Sequence, residues 1–248
     1  RLKVGEFKAT TFDELFEKTK ALPWADILPM NAEFPVEGKS IKSTLFSVSD
    51  CQAIVKKAVV ESMKKKYKLD WFPEDGPLFK IEVALLKDIA TLTIDTSGSG
   101  LHKRGYRTLI SEAPLKETLA AAMLMLAKWY PDVALIDPFC GSGTIPIEAA
   151  LMGRNIAPGI NRDFACSDWP WIPQHAWKKA REEAKDSIKH EKPEYIMGTD
   201  IDERVLRVAR RNAEQAGVSE DIHFQCMPVT EISSKKKYGK IVCNPPYG

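Results

Sequence analysis

The run Asn244-Pro245-Pro246-Tyr247 directly follows an apolar strand, Lys240-Ile241-Val242-Cys243. It carries the residue types needed to methylate an exocyclic amine on a planar base. Such an amine is a poor nucleophile, because its lone pair is delocalised into the ring. The Asn244 side-chain carbonyl and the Pro245 backbone carbonyl can accept both of its N–H bonds. That draws the nitrogen towards sp³ and aims its lone pair at an incoming methyl. Pro246 stiffens the loop, and Tyr247 offers a face on which a base can stack. The same residues also read as a Pro-rich turn closing a strand, so a second motif has to decide.

Far upstream, Val133-Ala134-Leu135-Ile136 reads as a buried parallel strand. It runs into Asp137-Pro138-Phe139-Cys140-Gly141-Ser142-Gly143-Thr144, with a helix over Ile145–Met152. Strand, glycine turn and helix open a nucleotide-binding α/β unit, and Gly141 and Gly143 let the backbone approach a ligand closely. A dinucleotide is disfavoured. The third glycine of G-x-G-x-x-G falls at Pro146, and the acid expected about 20 residues on is missing. The next strand ending in an acid is Tyr195–Thr199, which leads to Asp200. That carboxylate can accept from two ribose hydroxyls or act as a second helix cap. Asp202 caps a helix over Glu203–Ala216, which ends at Gly217.

The elements that must carry these motifs divide the chain. With 248 residues, 44% of them hydrophobic, it can bury a core and is long enough for two domains. A net charge of +2 means that affinity for nucleic acid needs local clustering. Five scattered cysteines without C-x-x-C spacing suggest neither a zinc site nor a disulfide framework and fit a reduced, cytosolic setting. The longest apolar run, Leu119–Ala127, is too short to span a bilayer, and no signal peptide is visible. Both ends read as interior segments, so a longer gene product is expected.

The first hundred or so residues read as an α+β module. Thr11–Leu22 is a helix with Phe12, Leu15, Phe16 and Thr19 on one face; Asp50–Lys68 is a longer one with Ile54, Val55, Ala58, Val59 and Met63 as its stripe. Lys56, Lys57, Lys64, Lys65, Lys66 and Lys68 crowd the rest of that helix, either as a solvated face or as phosphate contacts. Phe79–Leu86 and Ile89–Asp95 alternate as two strands around a Lys87-Asp88 turn. Ser97–Gly100 reads as a hinge. After it, His102, Lys103, Arg104, Tyr106 and Arg107 can clamp phosphates and stack on a base, or fix a domain interface. The Pro114–Trp129 helix, with Leu119, Met123, Leu124 and Leu126, reads as core packing. Residues 154–194 form an insertion carrying Trp169, Trp171 and Trp177, read as base-stacking groups or as a small subcore under a helix over Gln174–Lys189.

In this order the pieces resemble class I S-adenosylmethionine-dependent methyltransferases. More narrowly, they are similar to the THUMP-domain RNA methyltransferases that make N2-methylguanosine, and match the bacterial 23S rRNA guanine-N2 family closely. The resemblance rests on Phe7–Leu15, Leu101–Arg107, Ala113–Ala120, Asp137–Thr144, Ala157–Arg162 and Asn244–Gly248. It implies an α/β chain: a Rossmann-like class I methyltransferase domain over 101–248, without its C-terminal strands. An α+β THUMP-like RNA-binding domain over 1–100 precedes it, without its own N-terminal part. Asn244, Pro245, Pro246 and Tyr247 would hold the target base. S-adenosylmethionine would lie against Asp137, Phe139, Gly141, Gly143, Thr144, Asp200, Ile201 and Met227, with Asp200 on its ribose. Lys64, Lys65, Lys103, Arg104 and Arg107 would contact RNA, ribosomal RNA being preferred, with no metal and no membrane, in the cytoplasm. One position departs from the pattern. The acid that often holds the adenine amino group falls at Pro228, leaving Gln225 or backbone near Met227 to do so. The rival readings are a tRNA guanine-N2 methyltransferase, an adenine-N6 DNA methyltransferase, and a non-catalytic RNA-binding or ribosome assembly factor.

Overall fold

A computed structural model describes residues 1–107, 115–233 and 237–246. They form two compact units: Arg1–Ser99 with Asp163–Trp177, and Gly100–Arg162 with Lys178–Gly248.

The first unit runs β1 (Leu2–Lys8), α1 (Phe12–Lys20), α2 (Trp24–Ile27), β2 (Val36–Ile41), α3 (Val48–Tyr67), β3 (Ile81–Leu86) and β4 (Ile89–Ile94). Its sheet has the order β1-β4-β3-β2, with β2 parallel to β3 and the other pairs antiparallel. A parallel pair needs a crossover, and α3 supplies it. Alternation decides the faces: Ile81, Val83, Leu85, Ala90, Leu92 and Ile94 are buried, and their neighbours in sequence are not. Val55, Ala58, Val59 and Met63 bury the expected stripe of α3. Thr11 caps α1 by accepting from the Glu14 amide, while Glu14 reaches back to the Thr10 amide at 2.8 Å. Sequence reasoning missed β1 and β2, whose alternation is diluted by Gly5, Gly38 and several exposed lysines and glutamates.

The second unit contains α4 (Glu117–Leu126), β5 (Leu135–Asp137), α5 (Thr144–Gly153), α6 (Gln174–Asp186, which begins in the first unit), β6 (Ile196–Asp200), α7 (Glu203–Ala216), β7 (His223–Cys226) and β8 (Lys240–Ile241). These strands are all parallel, in the order β7-β6-β5-β8. β5 and β6 are covered on both faces and so read as near-continuous apolar runs. The helix α5 is buried nearly all round, whereas α7 buries Leu206, Ala209, Ala213 and Ala216 along one side. On α4 only Glu117, Ala120 and Leu124 are buried. Leu119 and Leu126 are 52% and 84% exposed, contrary to the expectation that they pack into the core. Helical spacing explains this, because they point away from the face that Ala120 and Leu124 share. Among the described residues no helix is long and apolar enough to cross a membrane.

The tryptophan-rich segment folds with the first unit. Trp169 is 1% exposed and stacks on Phe79, with centroids 4.6 Å apart and planes at 12°. Its indole N–H donates to the Leu78 carbonyl at 3.0 Å. Trp171 tilts against it at 5.2 Å, and Trp177 packs edge-on to Phe164. Neither expected role holds for Trp169: it is neither a free stacking platform nor part of a separate subcore under α6, which buries no side chain. The sequence alone cannot show this, because its partners lie some ninety positions earlier at Leu78 and Phe79. Trp169→Ala should lower the stability of the first unit by about 3–5 kcal/mol. Trp171→Ala, at 49% exposure, should cost clearly less. Urea unfolding checks this, and equal midpoints for the two variants would remove Trp169 from the core.

Candidate active site

Parallel packing brings the C-terminal ends of β5, β6 and β8 to one rim, where ligands of open α/β sheets bind. Asp137 ends β5 and Asp200 ends the adjacent β6. Asp137 is 1% exposed, and its Oδ1 accepts from the Phe139 amide at 3.2 Å. Burial pushes its pKa up to about 7; that amide opposes the shift, and the nearby Asp200 charge adds to it. Asp200 accepts from the Gly141 amide at 3.0 Å through one oxygen and from the Asp202 amide at 3.1 Å through the other. Asp202, as expected, caps α7 by accepting from the Arg204 amide at 2.8 Å.

The glycine loop is fixed from three sides. The Cys140 amide donates to the Thr199 carbonyl on β6 at 2.9 Å. Gly141 and Gly143 have φ of 52° and 82°, the left-handed region that glycine enters without strain. A Cβ at Gly143 would lie 3.0 Å from Ala209 and 3.1 Å from Phe224, so this glycine serves helix-to-sheet packing. At Gly141 the nearest atom would be Val205 at 4.0 Å, so that side of the loop is open. From α7, Asn212 donates to the Ser142 carbonyl at 3.1 Å, and its own Oδ1 has no hydrogen-bond partner among the described residues. Sequence reasoning did not single out Asn212. The available signal was a polar residue on the buried stripe of an amphipathic helix.

The segment Arg104–Arg107 turns inward, and two of the expected RNA contacts, Arg104 and Arg107, are engaged by carboxylates of their own unit. Arg104 pairs with Glu148 at 3.2 Å, and the Tyr106 hydroxyl donates to the same carboxylate. Arg107 pairs with Glu117 at 3.3 Å and donates to the Thr144 hydroxyl at 2.7 Å. The two arginine side chains are only 11% and 14% exposed, each held by a buried carboxylate that would otherwise be left unpaired. They fasten this segment to α4 and α5. Burial raises the pKa of Glu148 despite the pull of Arg104. Lys103 and Lys65 are exposed, and Lys64 pairs with Glu61 at 3.2 Å.

A cleft of about 500 Å³ opens at the strand ends. Its walls are Pro138 and Phe139 of the glycine loop, Asp200 and Ile201 after β6, Met227–Thr230 after β7, and Asn244–Pro246 after β8. It thus joins seven of the expected site residues: Phe139, Asp200, Ile201, Met227, Asn244, Pro245 and Pro246. Pro138, Val229 and Thr230 line it as well and were not foreseen. Asp137, Gly141, Gly143 and Thr144 are not part of this lining; they hold the loop from within. Tyr247 lies outside the described residues, as do Ala113 and Pro114. Among the described residues lining the cleft, Asp200 is the only acid, and Pro228 stands where an acid for the adenine amine was sought.

Comparison with known families matches a THUMP domain to residues 9–95, and the family described as "RMKL-like, methyltransferase domain" to residues 104–248. The chain belongs to the RMKL-like methyltransferase domain family. Its first unit carries a THUMP domain and its second a Rossmann-like methyltransferase domain, as the sequence motifs implied. Over 250 residues it is 54% identical to the "Putative RNA methyltransferase YpsC" of Bacillus subtilis (strain 168), covering 100% of this chain and 65% of that protein. A crystal structure of a "predicted N6-adenine-specific DNA methylase" from Listeria monocytogenes superposes with a TM-score of 0.96 at 57% identity, covering 99% of this chain and 65% of that one. SMU.472, "a putative methyltransferase complexed with SAH", superposes with a TM-score of 0.93 at 44% identity, covering 99% and 66%. The chain therefore spans about two thirds of the length of these relatives.

The raised pKa of Asp137 has a signed consequence. A carboxyl held above its unfolded value adds stability at low pH and loses it as pH rises through about 7. Between pH 5 and pH 8 the ligand-free parent should lose a few kcal/mol relative to Asp137→Asn. Urea midpoints across that range measure this, and parallel pH profiles would show that Asp137 is not protonated at neutral pH.

Proposed function

We propose that this protein transfers a methyl group from S-adenosylmethionine to the exocyclic N2 amine of a guanosine in RNA, with ribosomal RNA as the preferred target. One observation carries the reading: Asn244-Pro245-Pro246 shares a single cleft with Phe139 and Asp200. An acceptor set for a base amine and a nucleoside-binding rim converge there.

The residues fit the cofactor. Both Asp200 oxygens accept one backbone amide and keep further lone pairs for ribose hydroxyls. Phe139, Ile201, Met227 and Val229 give apolar walls for a planar base. Buried Asp137, short of donors, would ionise beside a cationic ligand group. When bound, S-adenosylmethionine supplies an electrophilic methyl on sulfur. The chain's own part is to position the amine. The Asn244 side chain and the Pro245 carbonyl accept its two N–H bonds, and neither proline has an amide to compete for them. Preorganised acceptors also stabilise the positive charge that develops on the nitrogen. No strong base is required, because a methylated aminium gives up its proton readily.

The THUMP domain and the name of the Bacillus relative favour RNA. The name of the Listeria protein favours adenine N6 in DNA, a second reading that the same acceptor pair allows. Isotope-labelled S-adenosylmethionine, offered with unmodified ribosomal RNA, tRNA or DNA to the natural full-length protein, separates them by the labelled nucleoside. N2-methylguanosine in ribosomal RNA is expected; N6-methyladenine in DNA would replace the substrate and keep the site.

Asn244→Ala should lower turnover by about 10²–10³-fold, the usual loss for one preorganised charge-stabilising group, with S-adenosylhomocysteine affinity nearly unchanged. Asp200→Ala should weaken that affinity about tenfold or more, in line with a lost hydrogen bond to a charged group. Calorimetry with S-adenosylhomocysteine and single-turnover assays test both. If Asn244→Ala lost cofactor binding and turnover together, its role would be misassigned.

A further inference from the structure

In the first unit, one face of the sheet is buried and the other is open. The register places Lys8 opposite Ile89, Ile89 opposite Leu86, and Leu86 opposite Ile41, one row across all four strands. Cross-strand partners share a face. In this row Ile41 and Leu86 are each 54% exposed, Ile89 is 39% exposed, and Lys8 is exposed. Adjoining exposed apolar side chains on the outside of a sheet form a candidate contact surface.

The two turns at this end are built around cations. Lys42 follows β2 and Lys87 joins β3 to β4, both with left-handed backbone, φ 49° and 50°. Non-glycine residues there are strained, and such strain gathers where side chains are needed. The turns are tied together: the Lys87 amide donates to the Ile41 carbonyl, and the Asp88 amide to the Ser43 hydroxyl. Asp88, the one carboxylate in these turns, accepts from the Thr44 amide at 2.6 Å. Lys8, Lys42 and Lys87 make no ion pair among the described residues. Phe46, 82% exposed, stands at the same end. Carboxylates further along the open face have their own partners: Glu6 with Lys3, Glu37 with Lys80, and Glu82 with Arg1 and Lys39. By contrast, three of the five α3 lysines are committed, Lys56 to Glu74, Lys64 to Glu61 and Lys66 to Asp26.

We propose that this end of the sheet contacts single-stranded RNA: Lys8, Lys42 and Lys87 meet phosphates, and the Ile41–Leu86–Ile89 strip with Phe46 receives unstacked bases. The inference rests on the RNA reading above and deepens it. Charge complementarity selects a polyanion, because unpaired cations border the strip. The exposed apolar strip and aromatic select a single strand, since a duplex keeps its base faces stacked away.

The test uses the intact natural protein and a fluorescein-labelled single-stranded RNA of roughly a dozen nucleotides, followed by anisotropy across a salt series. Glycine suits both left-handed positions, so K42G/K87G removes two charges while relieving backbone strain. It should weaken binding about tenfold and reduce the salt slope by about 1.4, near 0.7 for each phosphate deprived of its lysine. F46A should weaken binding about tenfold, as when one base is deprived of its stacking partner, with the salt slope unchanged. K65A/K68A, at the C-terminal end of α3 and its cap, should change binding less. If K42G/K87G binds as the parent does while label still enters ribosomal RNA, this face is overturned and the RNA reading stands. A parent that binds no RNA at any salt overturns both. If the variants leave RNA binding alone and alter sedimentation, the face is a contact between copies and the proposal fails.

Discussion

The hydrogen bond from the Gly141 amide to the Asp200 carboxylate, 3.0 Å long, ties the ends of two adjacent parallel strands together. The glycine loop and the start of α7 are set by the same carboxylate. The bond requires Gly141 at a left-handed φ, so that the amide turns back towards β6. It leaves the second Asp200 oxygen for the Asp202 amide, which sets the start of α7. That helix in turn presents Asn212 to the Ser142 carbonyl and Ala209 to the face of Gly143. Strand, loop and helix therefore constrain one another, and the carboxylate at their centre is also the one exposed to the cleft.

Asp137 shows what this arrangement costs. A carboxylate with few donors, close to a second carboxylate and shut off from water, has its pKa pushed up to about 7 and is only partly ionised at neutral pH. Such a group persists in a fold either because it packs well as a neutral acid or because something cationic restores its charge. The first gives only a polar spacer under the loop. The second makes the ligand part of the electrostatic balance of the strand ends, so that binding and the protonation of Asp137 are linked. Arg104 and Arg107 carry the same lesson with opposite sign. Cations that look suited to phosphate in the sequence are matched to buried acids, Glu148 and Glu117, whose charge would be costly alone.

Local chemistry made the candidate site largely legible. Proline, asparagine and glycine at fixed offsets from a strand specify backbone geometry, so the glycine loop, Asp200, and Asn244 with its prolines could all be read without a partner in view. The limits of α7 were read to the residue, because Asp202 and Gly217 punctuate it. What could not be read depends on distant contacts. Trp169 needs Phe79, Arg107 needs Glu117 and Thr144, and Leu126 is exposed only because Leu124 takes the inward direction. Strands β1 and β2 lie at the two edges of their sheet, carry lysine and glutamate on the open face and place Gly5 and Gly38 on the covered one, so neither shows a clean period.

The same chemistry limits what the cleft can decide. The acceptor pair proposed for Asn244 and Pro245 would read two N–H bonds, and adenine N6 and guanine N2 both offer two. Neither proline has an N–H to donate, so they cannot select the bare N1 beside the adenine amine over the N1–H beside the guanine amine. Selection between the bases must come from other groups, or from whichever strand reaches the cleft. The open sheet face of the first unit bears on the second route. Unpaired lysines bordering an apolar strip hold a backbone without reading its sequence. Affinity of that kind favours an exposed single strand over a paired one and leaves discrimination between amines to be imposed after capture. Substrate choice in this family member would then be divided between a surface that recognises strand state and a cleft that recognises an amine.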